Sequence, residues 1–314
     1  MKQDYKESVP KGELAESAKT RAELLAKWGY EPLSMMWLNK IHERSLDVLI
    51  EDTLAQGSYI RNNYNIRDGA LAQTPAIMIE RFLKFYTNPG DVVLNPMMER
   101  CGHLLIANKL KRHAVGQDIC SRFYNHDVEK VKSRILSAET LDPENNKILL
   151  EDANHFHTIY NGMTFNLNKG DSRKLDLPDE SVDHITTSPP YWDLGIYGDE
   201  PEQVGSGKGT GNGKTPTYEE FLTGLGEVYK ECFRVLKKDK FFCIQVNDFR
   251  KNGKFYNYHN SIIELLESIG FTYWDVCIYN ISTHPLAAVF TSQLQDRMMH
   301  AKCHEYNLVF KKVV

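Results

Sequence analysis

Short apolar runs alternate with amphipathic stretches along most of the chain. TPAIMIERFLKFY (74–86) carries Ile77, Ile79, Phe82 and Phe85 near helical spacing and predicts a helix. An NPGD turn then leads into DVVL, an all-apolar run that fits a strand buried on both faces. Leu104–Leu110 reads as a helix, HAVGQDI (113–119) as a strand ending on Asp118, and VDHITTS (182–188) as another strand. A long helix follows at 218–236, a strand at 240–248, a helix at 261–270 ending on Gly270, a strand in FTYWDVCIYN and a last strand at 304–312. Strands that alternate with helices define a doubly wound α/β sheet. Residues 1–70 differ: they are polar and helix-prone, with an amphipathic helix in ELAESAKTRAELLAKW. Trp28, Trp37 and Leu38 give this segment apolar surface to set against the main body. The chain therefore divides into a helical extension, 1–70, and an α/β domain, 71–314. There is no internal repeat, and the one low-complexity stretch is VGSGKGTGNGKTPT (204–217), with five glycines and two lysines.

Composition narrows the classes. At 314 residues the chain can bury roughly 75% of its unfolded surface and needs no staples. Lys plus Arg is 38 against 42 Asp plus Glu, a net charge of −4 that excludes a uniformly basic nucleic-acid coat but not a local basic groove. The six cysteines are scattered with no CxxC pair, which argues against a disulfide framework or zinc site and suits a reducing cytoplasm. No run approaches the ~18 apolar residues of a membrane span, and the charged N-terminus lacks a secretory h-region. His155 and His157 have a chelating spacing, but nothing joins them in sequence, so they read as structural or surface residues with no metal.

The most specific feature is Thr187-Ser188-Pro189-Pro190-Tyr191-Trp192, directly after the strand VDHITTS. Ligands of open α/β sheets sit beyond the carboxyl ends of strands. Two successive prolines fix φ and remove two amide donors, leaving carbonyls free to accept. Tyr191 adds a flat aromatic face, so the turn forms a socket for a planar base with an exocyclic amino group. The plainer alternative is a Pro-Pro turn that caps a strand over a buried aromatic.

GDSRKLDLPDESVDHITTSPPYWDLGIYG resembles the amino-directed DNA methyltransferases, and the resemblance runs over roughly residues 74–312. It implies a Rossmann-like methyltransferase sheet, mostly parallel with an antiparallel closing strand, and transfer of a methyl group from S-adenosylmethionine to N4 of cytosine or N6 of adenine. It places Ser188, Pro189, Pro190 and Tyr191 at the catalytic turn. Tyr191 would stack on a base flipped out of the duplex, and Ser188 with the Pro189 carbonyl would hold its amino group. The serine that opens the turn leans toward cytosine, with adenine close behind. No proline is followed by cysteine, which disfavours carbon-5 chemistry. For the cofactor it implies Pro75 and its helix at the methionine portion, Asn95, Pro96 and Met97 in the loop after the first strand, Asp118 on the ribose hydroxyls and Asp171 on the adenine amino group. The plainer alternatives are a helix cap for Asp118 and a turn residue for Asp171. Trp192, Lys208 and Lys214 fall to the substrate. Double-stranded DNA is the implied partner, with a cognate restriction nuclease and a homodimer as open options.

One loop departs from the family. Where an Asp-Pro-Phe and a glycine-rich turn are usual, this chain has Asn95-Pro96-Met97-Met98-Glu99-Arg100-Cys101-Gly102. Either the variant loop binds cofactor or the site has decayed into a DNA-binding protein; an RNA or protein amine methyltransferase is a third reading. Arg250, Lys251 and Lys254 form a second basic group, whose plain alternative is a solvated face. No zinc finger or helix-turn-helix marks the specificity region, which leaves 121–170, 249–260 and the first 70 residues as its candidate locations.

Overall fold

The computed structural model describes residues 35–37, 74, 76–194, 200, 203–205, 215–280, 298 and 304–313. The helix expected at 13–28, with Trp28 and Leu38, lies outside them, as do Pro75, Lys208 and Lys214. In chain order the elements are β1 (Met35–Trp37), α1 (Ala76–Tyr86), β2 (Val92–Asn95), α2 (Gly102–Lys109), β3 (His113–Asp118), α3 (Ser121–Glu139), β4 (Lys147–Glu151), β5 (His155–Tyr160), β6 (Met163–Lys169) and β7 (Val182–Thr187). There follow α4 (Tyr218–Val235), β8 (Leu236–Val246), β9 (Phe249–Lys251), β10 (Lys254–Tyr256), α5 (Tyr258–Ile269), β11 (Thr272–Asn280) and β12 (His304–Lys311).

Ten strands form one sheet in the order β1-β11-β12-β8-β7-β2-β3-β6-β5-β4. Strands β6, β3, β2, β7 and β8 are mutually parallel, and β12 runs antiparallel between β8 and β11. The expected closing strand is therefore in place. Its neighbour β11 pairs in parallel with β1, so one strand of the sheet comes from the segment assigned to the extension. The chain leaves β2 through β3 and β6 on one side and returns to β7 on the other. That reversal opens a crevice at the carboxyl ends of β2 and β7.

The two faces of the sheet are covered separately. Leu94, Val115, Ile185, Phe242 and Ile244 face α4 and α5 through Phe221, Leu225, Tyr229, Ile262 and Leu266. Ala114, Phe165 and Leu167 pack under α3 and α2, and Val93 packs with Ile79 and Leu83 of α1. Strands β2, β3 and β7 are nearly all buried, and of the three only β2 reads as an apolar run, since β3 and β7 bury His, Gln, Asp and Thr as well. Helix α1 buries Met78, Ile79 and Leu83, whereas Phe82 and Phe85 are only partly covered, a rotation from the face read in the sequence. Helix α4 starts on a capping box, with Thr217 accepting from the Glu220 amide and the Glu220 carboxylate accepting from the Thr217 amide.

Two element boundaries differ from the sequence reading. Strand β8 begins at Leu236 and α5 at Tyr258, both earlier than their apolar runs. Residues 121–170 form α3, the parallel strand β6 and the antiparallel β4–β5 edge. Among the described residues no group of His, Cys, Asp or Glu could hold a metal ion; His155 pairs with Asp152, and His157 with Asn168.

Candidate active site

A cleft of about 600 Å³ opens at the carboxyl ends of β2, β3, β6 and β7. Its wall is built at and just past the strand ends: Pro96, Met97 and Glu99 after β2, Asp118 and Ile119 from β3, Asp171 and Ser172 after β6, Ser188 and Pro190 after β7. Phe123, Gln203, Val204 and Val228 complete it. The sequence reading named Pro96, Met97, Asp118, Asp171, Ser188 and Pro190, and the fold brings these six together. Asn95 is buried behind the wall, its Oδ1 accepting from the Met97 amide at 3.2 Å. Ile119 and Phe123 were missed, although Ile119 directly follows the strand-end acid.

The loop after β2 is held by hydrogen bonds that its glycine-poor sequence does not announce. Glu99 and Cys101 both adopt left-handed backbone, with φ 49° and 46°. Glycine takes that region freely, and other residues pay roughly 1–2 kcal/mol for it. The turn keeps its shape because its amides are caught: Glu99 N donates to Asp118 Oδ2 at 2.8 Å, Met98 N to the Gln117 carbonyl at 3.1 Å, and Ser172 Oγ to the Pro96 carbonyl. Asp118 Oδ1 accepts from Cys120 N at 2.8 Å, so this carboxylate also closes a turn leading into α3, whose N-cap is Cys120. Asp171 is gripped by Arg173, at 2.9 Å from Nε and 2.6 Å from a terminal nitrogen.

Three acids crowd here. Burial pushes Glu99 up to about 7, with Arg100 opposing and Asp118 and Asp127 adding. Burial likewise pushes Asp118 up to about 7 against its two amide bonds, and Asp127 up to about 6. Glu99 Oε1 is buried and has no hydrogen-bond partner. A raised acid keeps its proton in the folded state between its unfolded and folded values, so its ionisation costs stability as pH rises through about 4.5 to 7. Glu99→Gln is therefore expected to gain stability over the wild type on going from pH 5 to pH 8, on the order of 1–3 kcal/mol by urea unfolding without ligand. A difference that stays flat with pH would show that Glu99 is ionised throughout.

The turn after β7 is braced by an aromatic cluster. Tyr191 meets Tyr258 and Phe249 edge to face, at 5.6 and 6.4 Å between centroids. Tyr258 Oη donates to the Pro190 carbonyl at 2.9 Å, and Leu194 N donates to the Tyr191 carbonyl at 3.0 Å. The expectation that the turn's carbonyls stand free is thus corrected for these two, because α5 and the following turn reach back to them. Trp192 packs on Tyr256 and Tyr218, and its Nε1 donates to the Pro216 carbonyl at 2.7 Å. Neither Tyr191 nor Trp192 lines the cleft, and Pro189 is buried beneath the turn. A Cβ on Gly205 would sit 2.7 Å from Pro190 and 2.9 Å from the Trp192 carbonyl, so the glycine-rich loop begins pressed against the turn. A smaller cleft, about 250 Å³, runs under α1 between Thr74, Met78, Phe82, His103 and Thr187.

Strand order, the antiparallel closing strand and a cleft at the reversal point define a Rossmann-like methyltransferase fold. Residues 182–313 match the model of the N6/N4 methyltransferase family, described as DNA methylase, and the resemblance read from the sequence holds over this segment. The type II methyltransferase M.MjaVI of Methanocaldococcus jannaschii is 31% identical over 120 residues, 38% of this chain and 55% of that one. M.BglII of Bacillus subtilis, also a type II methyltransferase, is 37% identical over 83 residues, 26% of this chain and 17% of its own. The chain thus spans about half of the first relative's length and less of the second's. A Thermus thermophilus protein described as a DNA modification methylase, solved with S-adenosyl-L-methionine, is 28% identical over 46% of this chain and 54% of that one, with a TM-score of 0.33. No helix among the described residues is long and apolar enough to cross a membrane.

Proposed function

We propose that the chain transfers a methyl group from S-adenosylmethionine to the exocyclic amino group of a base in double-stranded DNA, at cytosine N4 or adenine N6. The observation that carries this reading is the Ser188-Pro189-Pro190-Tyr191 turn at the carboxyl end of β7, with Ser188 and Pro190 on the rim of the cleft beyond β2, β3 and β6.

The cleft suits the cofactor in its chemistry. It has apolar walls and a few convergent polar groups. Asp118 stands at the strand end where acids meet ribose hydroxyls, and Glu99 lines the same cleft with its Oε1 buried and without a hydrogen-bond partner. Pro96 and Met97 would flank the nucleoside, Asp171 would accept from its adenine, and α1 with Pro75 would border the methionine end. When bound, the cofactor supplies an electrophilic methyl group. The protein's part is to place the target nitrogen: Ser188 and the Pro189 carbonyl would accept its N–H bonds and raise its nucleophilicity, and Tyr191 would stack on the flipped base. No covalent enzyme intermediate is needed, so positioning supplies much of the rate.

In this reading residues 71–314 are the transferase domain and residues 1–70 an extension that lends β1 to its sheet. Lys208 and Lys214 would meet the DNA backbone beside the turn. A cognate restriction nuclease and a homodimer are further proposals, as is a cytoplasmic location. The test is incubation with unmodified genomic DNA and labelled methyl donor, followed by nucleoside mass spectrometry. Labelled N4-methylcytosine or N6-methyladenine is expected. Absence of label from several DNA sources, with the cofactor bound, would reject DNA as the substrate.

A further inference from the structure

Residues 249–260 carry three cations and no carboxylate in a chain whose net charge is −4. The structure divides these cations. Strands β9 and β10 pair as a hairpin in which Phe249 opposes Tyr256, Arg250 opposes Phe255 and Lys251 opposes Lys254. Asn252 and Gly253 close it with φ 48° and 79°, the double left-handed geometry of a tight two-residue hairpin turn. Lys251 is turned inward: its ammonium lies 4.6 Å from the Trp192 ring centroid and pairs with the buried Asp193 carboxylate. Phe249 and Tyr256 stack on each other beneath it and touch Trp192. Arg250 and Lys254 are exposed, and neither makes an ion pair among the described residues; Lys254 opposes Lys251 on the Tyr256 face, its ammonium 4.9 Å from that ring's centroid. Arg250 lies flat over the exposed Phe255 ring, 5.0 Å from its centroid, which holds the guanidinium on the outer face.

The hairpin leaves the carboxyl end of β8 beside the catalytic turn, and α5 after it anchors that turn through Tyr258. We infer that this hairpin is a backbone clamp for duplex DNA: Arg250 on its outer face and Lys254 at the exposed edge beside its tip contact phosphates while Lys251 ties it to Trp192 and Asp193. The geometry fits a phosphate rather than a base edge, because the two cations sit on a short rigid ribbon with no amide or carboxylate side chain at its tip beyond Asn252. This inference rests on the DNA methyltransferase reading, and it adds a contact that neither the glycine-rich loop nor the turn supplies.

The test uses the full chain and a fluorescent duplex of unmodified DNA, titrated at several salt concentrations. The double variant Arg250→Ala/Lys254→Ala is expected to bind about tenfold more weakly at ~0.1 M salt and to lose about 1.8 from the slope of log K against log salt, two phosphate contacts' worth. Affinity for S-adenosylmethionine should stay within about twofold. Phe255→Ala should weaken binding with little change of slope, since it frees the guanidinium without removing charge. Lys238→Ala, at the opposite end of β8, should change nothing. Unaltered affinity and slope in the double variant, with wild-type binding and methylation intact, would overturn the clamp and leave the methyltransferase reading standing. A wild type that neither binds nor methylates duplex would overturn both.

Discussion

Tyr191→Ala is expected to cut methyl transfer by roughly 10- to 100-fold, the worth of one base–aromatic stack, while the cofactor dissociation constant moves less than about threefold. The asymmetry follows from placement. Tyr191 sits next to Pro190 on the rim but contributes nothing to the cleft wall. Its ring leans on Tyr258 and Phe249, and the turn stays anchored by the Tyr258 bond to the Pro190 carbonyl when the side chain is removed. Tyr191→Phe keeps the ring and should keep most of the rate. Single-turnover kinetics and calorimetric titration of cofactor on the same preparations separate the two effects. Parallel loss of transfer, cofactor affinity and thermal stability in Tyr191→Ala would make Tyr191 a fold residue whose ring merely fills the cluster.

What could be read from the sequence divides along physical lines. Strands β2, β3 and β7 were legible because each is buried on both faces and bounded by Asp, Gly or Pro. Helix α3 was not: its buried residues, Phe123, Tyr124, Val128, Val131 and Ile135, are spread through nineteen mostly polar positions. Strands β4 and β6 hid for a related reason, since β4 is an exposed edge and MTFNLNK in β6 alternates apolar side chains with Asn. The site itself was half legible. Residue types and strand-end positions picked out Asp118, Asp171 and the Ser-Pro-Pro-Tyr turn, but their meeting depends on parallel pairing between segments far apart in the chain. The loop after β2 is the sharpest case. Judged by composition it has lost its glycines, yet Glu99 and Cys101 hold the left-handed backbone that glycines would have taken. The constraint sits in Asp118 and Gln117 across the sheet rather than in the loop's own residues, so the decayed-site alternative loses the argument from missing glycines.

That coupling sets the second large effect. Asp118→Ala removes the acceptor of two backbone amides, Glu99 N and Cys120 N, and the group proposed for the ribose. Such bonds contribute about 1 kcal/mol each, so cofactor affinity should fall by roughly 30-fold or more, through both the lost contact and a loosened Glu99 turn. The two parts separate with a cofactor analogue lacking the ribose 2′-hydroxyl. The wild type should discriminate against the analogue by about tenfold, and Asp118→Ala should bind the two alike, because a group that recognises the hydroxyl is the one whose removal abolishes the preference. If the variant is less stable but still discriminates, Asp118 is only the clasp that closes the loop onto α3, and the ribose must be held elsewhere in the cleft.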